Sequence, residues 1–156
     1  MFVSIDLPDD WTFVDEDHQT VALSPGSSAE RPLVLVAWGA MVGATGDDGH
    51  LWRRLLSVGL GDLRLETGEP EPRVTDRGWR FTERRARVLA GERLVEERLA
   101  VVYEFDEWRG TALVRIFDPQ AGAALAATVR AALAAAVPDW RSEGEIVCLA
   151  HLYEEP

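Results

Sequence analysis

Residues 78–118, GWRFTERRARVLAGERLVEERLAVVYEFDEWRGTALVRIFD, decide the fold. They read as three successive antiparallel strands. Residues 79–89 and 93–105 are joined around Ala90-Gly91, where glycine supplies the backbone freedom of a tight turn. Charge suggests a register. With Leu89 facing Glu92, Glu83 faces Arg98, Arg84 faces Glu97 and Arg85 faces Glu96, three opposite-sign pairs of roughly 0.2–1 kcal/mol each. Toward the turn the chain is charged on both faces, so that half is expected to project into solvent. Away from the turn, Leu99, Val101, Tyr103 and Phe105 point one way, Ala100 and Val102 the other. A strand apolar on both faces is covered on both faces, which puts the sheet between two layers. Residues 111–117 have the same character, with Leu113 and Phe117 on one side and Ala112, Val114 and Ile116 on the other.

Working outward, residues 2–7 alternate Val3, Ile5 and Leu7 against Ser4 and Asp6, the pattern of a half-buried strand. Pro8-Asp9-Asp10 is a turn. Short strands follow at 11–14 and 19–23 around the acidic turn Asp15-Glu16-Asp17-His18. Residues 33–41, LVLVAWGAM, form an apolar run of strand length, expected inside the sheet. A helix over 48–58 is predicted from the stripe Leu51, Leu55 and Val58, with Asp47 or Asp48 as its N-cap and Gly59 and Gly61 ending it. Residues 62–77, rich in Pro, Gly and Glu, read as a long exposed connection. After the meander, Asp118 and Pro119 open a helix carrying Leu125, Val129, Leu133 and Val137 on one face, and Pro138 ends it. Residues 145–153 alternate as a last strand.

The chain has 156 residues, ordinary hydrophobic and charged fractions of 47% and 28%, and a net charge of −11. The length suits one domain spanning 1–156 with a proper core. Every basic residue is arginine, which we read as codon bias of a GC-rich bacterial genome. Residues 1–50 hold nine acids and one base. That distribution argues against nucleic acid as a partner and permits a basic protein partner. No apolar run is long enough for a bilayer span, and the start has neither a basic n-region nor a long apolar h-region, so a cytoplasmic protein with no membrane partner is expected. A lone cysteine, Cys148, gives no disulfide framework and no cysteine-based zinc site.

No Walker loop, dinucleotide fingerprint, G-x-S-x-G elbow or H-E-x-x-H sequence is present. Acid-plus-histidine clusters at 15–18 and 47–50 equally well serve as a turn and a helix cap, so no metal and no cofactor is assigned. Cys148 and His151 would face opposite sides of a strand, which separates a nucleophile from its base. No catalytic residue is therefore assigned, and the protein is not expected to be an enzyme. Six tryptophans are many for this size. Trp79 belongs in the core, while Trp11 and Trp108 sit at element ends, where aromatic residues can mark an interface. The candidate partner-binding residues are Asp9, Asp10, Trp11, Asp15, Glu16, Asp17 and Trp108.

The opening FVSIDLPDDWTFV, a strand followed by Pro and then Trp, and the segment FDPQAGAALAATVRAALAAAV after the meander resemble the PsbP-like superfamily, which includes DcrB- and LpqN-type bacterial proteins. The resemblance covers roughly residues 1–140. The chain departs from it in lacking the export signal of the lipoprotein members and in adding the strand at 145–153. The resemblance implies an antiparallel sheet sandwiched by helices that binds other proteins, some DcrB-like members being similar to chaperones or adaptors for secreted bacterial effectors. The combined expectation is an α+β fold, an antiparallel sheet of six to seven strands flanked by two main helices as an α/β/α sandwich. Its function is read as a non-catalytic protein-binding module, a bacterial cytoplasmic adaptor or chaperone for a basic or secreted protein. One alternative is an acidic immunity-type inhibitor of a basic toxin. Another is a small-ligand carrier or enzyme with a site near loops 43–49 and 62–77. An exposed strand edge would also suit a homodimer.

Overall fold

Nine of the eleven strands form one antiparallel sheet in the computed structural model, which describes residues 2–16, 19–28, 30–43 and 48–139, with all their side chains except those of Glu16 and Asp48. In chain order the elements are β1 (Phe2–Ser4), β2 (Thr12–Glu16), β3 (Gln19–Leu23), β4 (Val34–Gly39), β5 (Val42–Gly43), α1 (Asp48–Leu56), β6 (Arg64–Thr67), β7 (Glu71–Val74), β8 (Arg80–Ala90), β9 (Arg93–Phe105), β10 (Trp108–Ile116), α2 (Ala123–Ala134) and β11 (Val137–Asp139). The sheet runs β2-β3-β4-β10-β9-β8-β6, with β5 also on β10 and β7 also on β8. The strand expected at 145–153, with Cys148 and His151, lies outside the described residues, as do Asp17 and His18.

Nine strands, rather than six to seven, arise because of three short pieces, β5, β6 and β7. The segment 62–77 is not a connection: β6 and β7 both pair with the long β8, one after the other, as an exposed sheet edge. Proline there is tolerated because an edge strand has a side with no ladder to complete. Likewise β4 and β5 share β10.

The β8–β9 register differs from the charge-matched one. Ala90 pairs with Arg93 across a Gly91-Glu92 turn, and a bulge at Val95 then sets Val88 opposite Glu96 and Phe81 opposite Tyr103. The charge-matched register would have placed Phe81 opposite Ala100, on the wrong face. A slip by an odd number of residues turns every side chain over. Burying one Phe or Val is worth about 1.5–3 kcal/mol, more than any exposed pair returns.

The two faces of β9 and β10 divide as their sequence suggests. Leu99, Val101, Tyr103, Phe105, Ala112 and Val114 join one core, which Val129, Leu133 and the segment Val3–Leu7 close from above. Phe81, Tyr103 and Phe105 form a run of rings at centroid spacings of 5.3 and 5.2 Å, and Trp79 meets Phe105 edge-on at 5.3 Å. Ala86, Ala100 and Leu113 belong to a smaller core under Leu56 and Trp52 of α1. The arrangement is helix, sheet, helix.

Three local corrections concern the helices and β1. Asp118 caps a turn, accepting from the Gln120 and Ala121 N–H groups, and α2 begins only at Ala123. Gly122 marks the boundary because a Cβ there would press on the Asp118 carbonyl and Ile116. Val137 lies in β11, not on the helix, as expected of a residue held extended by the proline that follows. Finally, β1 pairs with β11 outside the main sheet and touches it through a bridge from Phe2 to Ala40. It crosses β10 at Gly110, where any Cβ would overlap Val3.

Candidate functional site

Helix α1 covers only part of its face of the sheet, and charge decides which part. Glu96 and Arg98 lie two apart on β9 and so point to the same side. Both are buried, Arg98 at 2% and Glu96 at 4% exposure. The Glu96 carboxylate is gripped from one side by the Arg98 guanidinium and from the other by Arg115, whose Nε and Nη2 donate at 3.0 and 2.9 Å. Arg98 then donates through Nη1 to the Leu56 carbonyl at 2.7 Å. That carbonyl is among the last of α1, the negative end of its dipole. The hairpin half expected in solvent is therefore partly buried, because these charges partner one another and the helix end. At the middle of α1, Arg84 rests over Trp52 at 5.8 Å.

Held this way, α1 roofs β8, β9 and β10 and, among the described residues, leaves β2, β3 and β4 bare on the same face. A trough of 870 Å³ results between the free flank of α1 and those strands. Leu51, Leu55 and Val58 form one wall; Val14, Val21 and Leu35 form the floor. Val14, Val42 and Val58 are 43%, 48% and 48% exposed. Its charged lining residues are Arg54 and Arg115, and Arg115 is already bound to Glu96. The trough ends at β2, the outermost strand on this side of the sheet.

The opposite face is closely packed around Tyr103. The Tyr103 hydroxyl donates to the Leu133 carbonyl at 2.7 Å. Burial first, and the Glu83 carboxylate second, push this phenol far above its ordinary range. Glu83 is itself buried at 5% exposure and bound by Arg73 Nε at 2.9 Å, which raises the Arg73 pKa.

The residues singled out from the sequence fall apart into two kinds. Asp9, Asp10 and Asp15 are exposed in the turn before β2 and along it, and Asp15 accepts from the Thr20 hydroxyl at 2.9 Å. Glu16 ends the same strand, and Asp17 lies outside the described residues. Trp11, by contrast, is buried at 4% exposure, so it offers no surface to a partner. Trp108 is half-buried and packs on the main core. No residue of 62–77 and no described residue of 43–49 lines the trough, whose lining comes from strands, from α1 and from Ser28, Pro32, Ala40 and Val58 beside them. Phe13, 45% exposed on β2, was missed. Its signal was an aromatic residue next to the acidic turn. Among the described residues, no three of His, Cys, Asp and Glu are grouped to hold a metal ion, and no helix is long and apolar enough to cross a membrane.

No protein family model and no curated protein matches the sequence. Solved structures do match. The solution structure of cyanobacterial PsbP (CyanoP) from Synechocystis sp. PCC 6803 is similar with a TM-score of 0.58 at 17% identity, over 83% of this chain and 84% of that one. The crystal structure of the Saccharomyces cerevisiae Ran-binding protein Mog1p is similar with a TM-score of 0.54 at 8% identity, over 86% and 89%. The fold is PsbP-like.

Proposed function

We propose that this PsbP-like chain is a non-catalytic protein-binding module, an adaptor or chaperone of the bacterial cytoplasm, whose partner lays an extended apolar segment along β2. The observation that carries this reading is a half-face left bare among the described residues, an apolar trough ending at β2, whose outer edge no described strand pairs. A segment added to β2 satisfies its own main-chain groups on that edge and sends alternate side chains to opposite faces. One set joins Val14 in the trough; the other passes Phe13 and Asp15. With Asp9, Asp10 and Asp15 exposed on and just before this strand, the segment is apolar and interspersed with Lys or Arg, since charge complementarity steers such an encounter. That the yeast neighbour is a Ran-binding protein supports protein binding as the broad activity.

The test is a peptide array graded in apolar content and charge, probed at low salt and again near 0.5 M. Apolar-basic peptides should bind, keep most of their affinity at high salt, and be lost on Val14→Asp. Binding that collapses with salt and ignores Val14→Asp would favour an acidic inhibitor of a basic protein. Concentration-dependent dimerisation abolished by the same variant would make the occupant of the edge a second copy.

A further inference from the structure

The face opposite the trough carries a second cavity of a different chemistry. It has a volume of 510 Å³ and lies between the middle of α2 and strands β8, β9 and β10. Its floor is apolar: Leu99 and Val114 are cross-strand neighbours, and Val129 of the helix faces them. Its rim is basic. Arg85 and Arg87, two apart on β8, rise on the same side as Leu99, and Arg130 joins them from the helix. Glu97 is the one acid in the lining; Arg98, also there, turns its side chain to the other face to hold Glu96.

These arginines are not used up by the fold. Arg87 touches Glu66 at 3.4 Å, with both side chains well exposed. Arg130 stands 3.9 Å from Glu83, a carboxylate that Arg73 already holds at 2.9 Å. The Arg85 guanidinium has no partner among the described residues. Each guanidinium has five donors in a planar fork that fits a carboxylate or sulfonate. In a protein of net charge −11, a convergence of three arginines over an apolar floor is out of keeping with the rest of the surface. The volume lies in the range of small-molecule sites.

We infer that this cleft binds a small organic monoanion with an apolar body, its carboxylate or sulfonate on Arg85 and Arg130 and its body on Leu99, Val114 and Val129. A bare phosphate would leave the floor unused, and a neutral hydrocarbon would leave the guanidinium fork unused. This site is independent of the β2 edge and needs no protein partner.

The experiment is a methyl-NMR titration of the full chain with decanoate and 2-naphthoate, each against its neutral alcohol. Saturable shifts at Leu99, Val114 and Val129 are expected, with the acid at least about tenfold tighter than the alcohol. Arg85→Gln, at an exposed position, should leave the fold intact and weaken the acid by about tenfold without changing the alcohol. Val14→Asp should change nothing here. Equal affinity for acid and alcohol, shifts at Val14 and Val58 in place of Val129, unchanged affinity in Arg85→Gln, or no saturation with either acid would each overturn the assignment.

Discussion

Each face of the sheet carries a helix, but the two are attached by different means. Over Tyr103, α2 and the segment Val3–Leu7 close a layer of rings and branched side chains. Over Ala100, a nine-residue helix is tied at its end by a buried Arg98–Glu96–Arg115 cluster and, among the described residues, leaves half the strands uncovered. Apolar contacts are non-directional and strengthen with the area they bury. A guanidinium on a carbonyl is directional and fixes one point. The packed ring layer holds the fold together. The tethered face keeps α1 to one side, so the trough stays open.

Substitutions should separate these two regimes. In the packed ring layer, Phe105→Ala should cost about 3–5 kcal/mol in urea unfolding, through lost burial and an unfilled cavity. A loss under about 1 kcal/mol would mean that the ring stack is not the main core. On the tethered face, Glu96→Ala should cost about 3–5 kcal/mol, because it strands Arg98 without its charge partner. Replacing Glu96, Arg98 and Arg115 together by Leu, Met and Met should be nearly neutral to global stability. It should nevertheless speed hydrogen exchange in α1, since the Leu56 carbonyl loses its donor. Slow exchange in that triple variant would show that packing alone positions the helix.

Smaller effects refine the contrast. Tyr103 ionises far above its ordinary value of 10.0 in the fold, so the folded state admits the neutral phenol. Its stabilising contribution is whole below pH 10 and is lost as pH rises beyond, at about 1.4 kcal/mol per pH unit. Tyr103→Phe should flatten that alkaline limb while lowering stability at pH 7 by about 1 kcal/mol, as the Leu133 carbonyl loses its donor. An unchanged alkaline limb would assign the loss to another group. Last, Val14→Asp and Val58→Asp should shift unfolding by no more than about 0.5 kcal/mol, as exposed positions do, while abolishing apolar-peptide binding. A large loss of stability there would show that the trough is part of the core.

The contrast also sorts what could be read from the chain. The meander and the two-sided character of β9 and β10 were legible, because alternation of Leu99, Val101, Tyr103 and Phe105 against Ala100 and Val102 survives in any register. The register itself was not. Charge pairs such as Arg85 with Glu96 are weak and degenerate, whereas the alignment of Phe81 with Tyr103 depends on a bulge at Val95 that no turn residue announces. The cluster around Glu96 was hidden for a similar reason: alternating charges read as a solvated strand until a helix end is set over them. The trough followed from lengths. Nine helical residues reach about 14 Å, and seven strand positions span about 29 Å. One short helix could not roof that width, although Leu35 and Ala37 on β4 looked destined for burial. The edge pieces β6 and β7 were missed because Pro70 and Pro72 dominate the reading of that stretch.

The pairing of β1 with β11 sets an order of events during synthesis. Phe2 and Val3 are made before every other described strand and helix, and their partners Asp139 and Pro138 after them. Contacts so far apart in sequence close late. Until then β1 lacks its ladder partner. Strand β1 therefore waits while β2 to α2 are made, and the ribbon closes as a latch once β11 emerges.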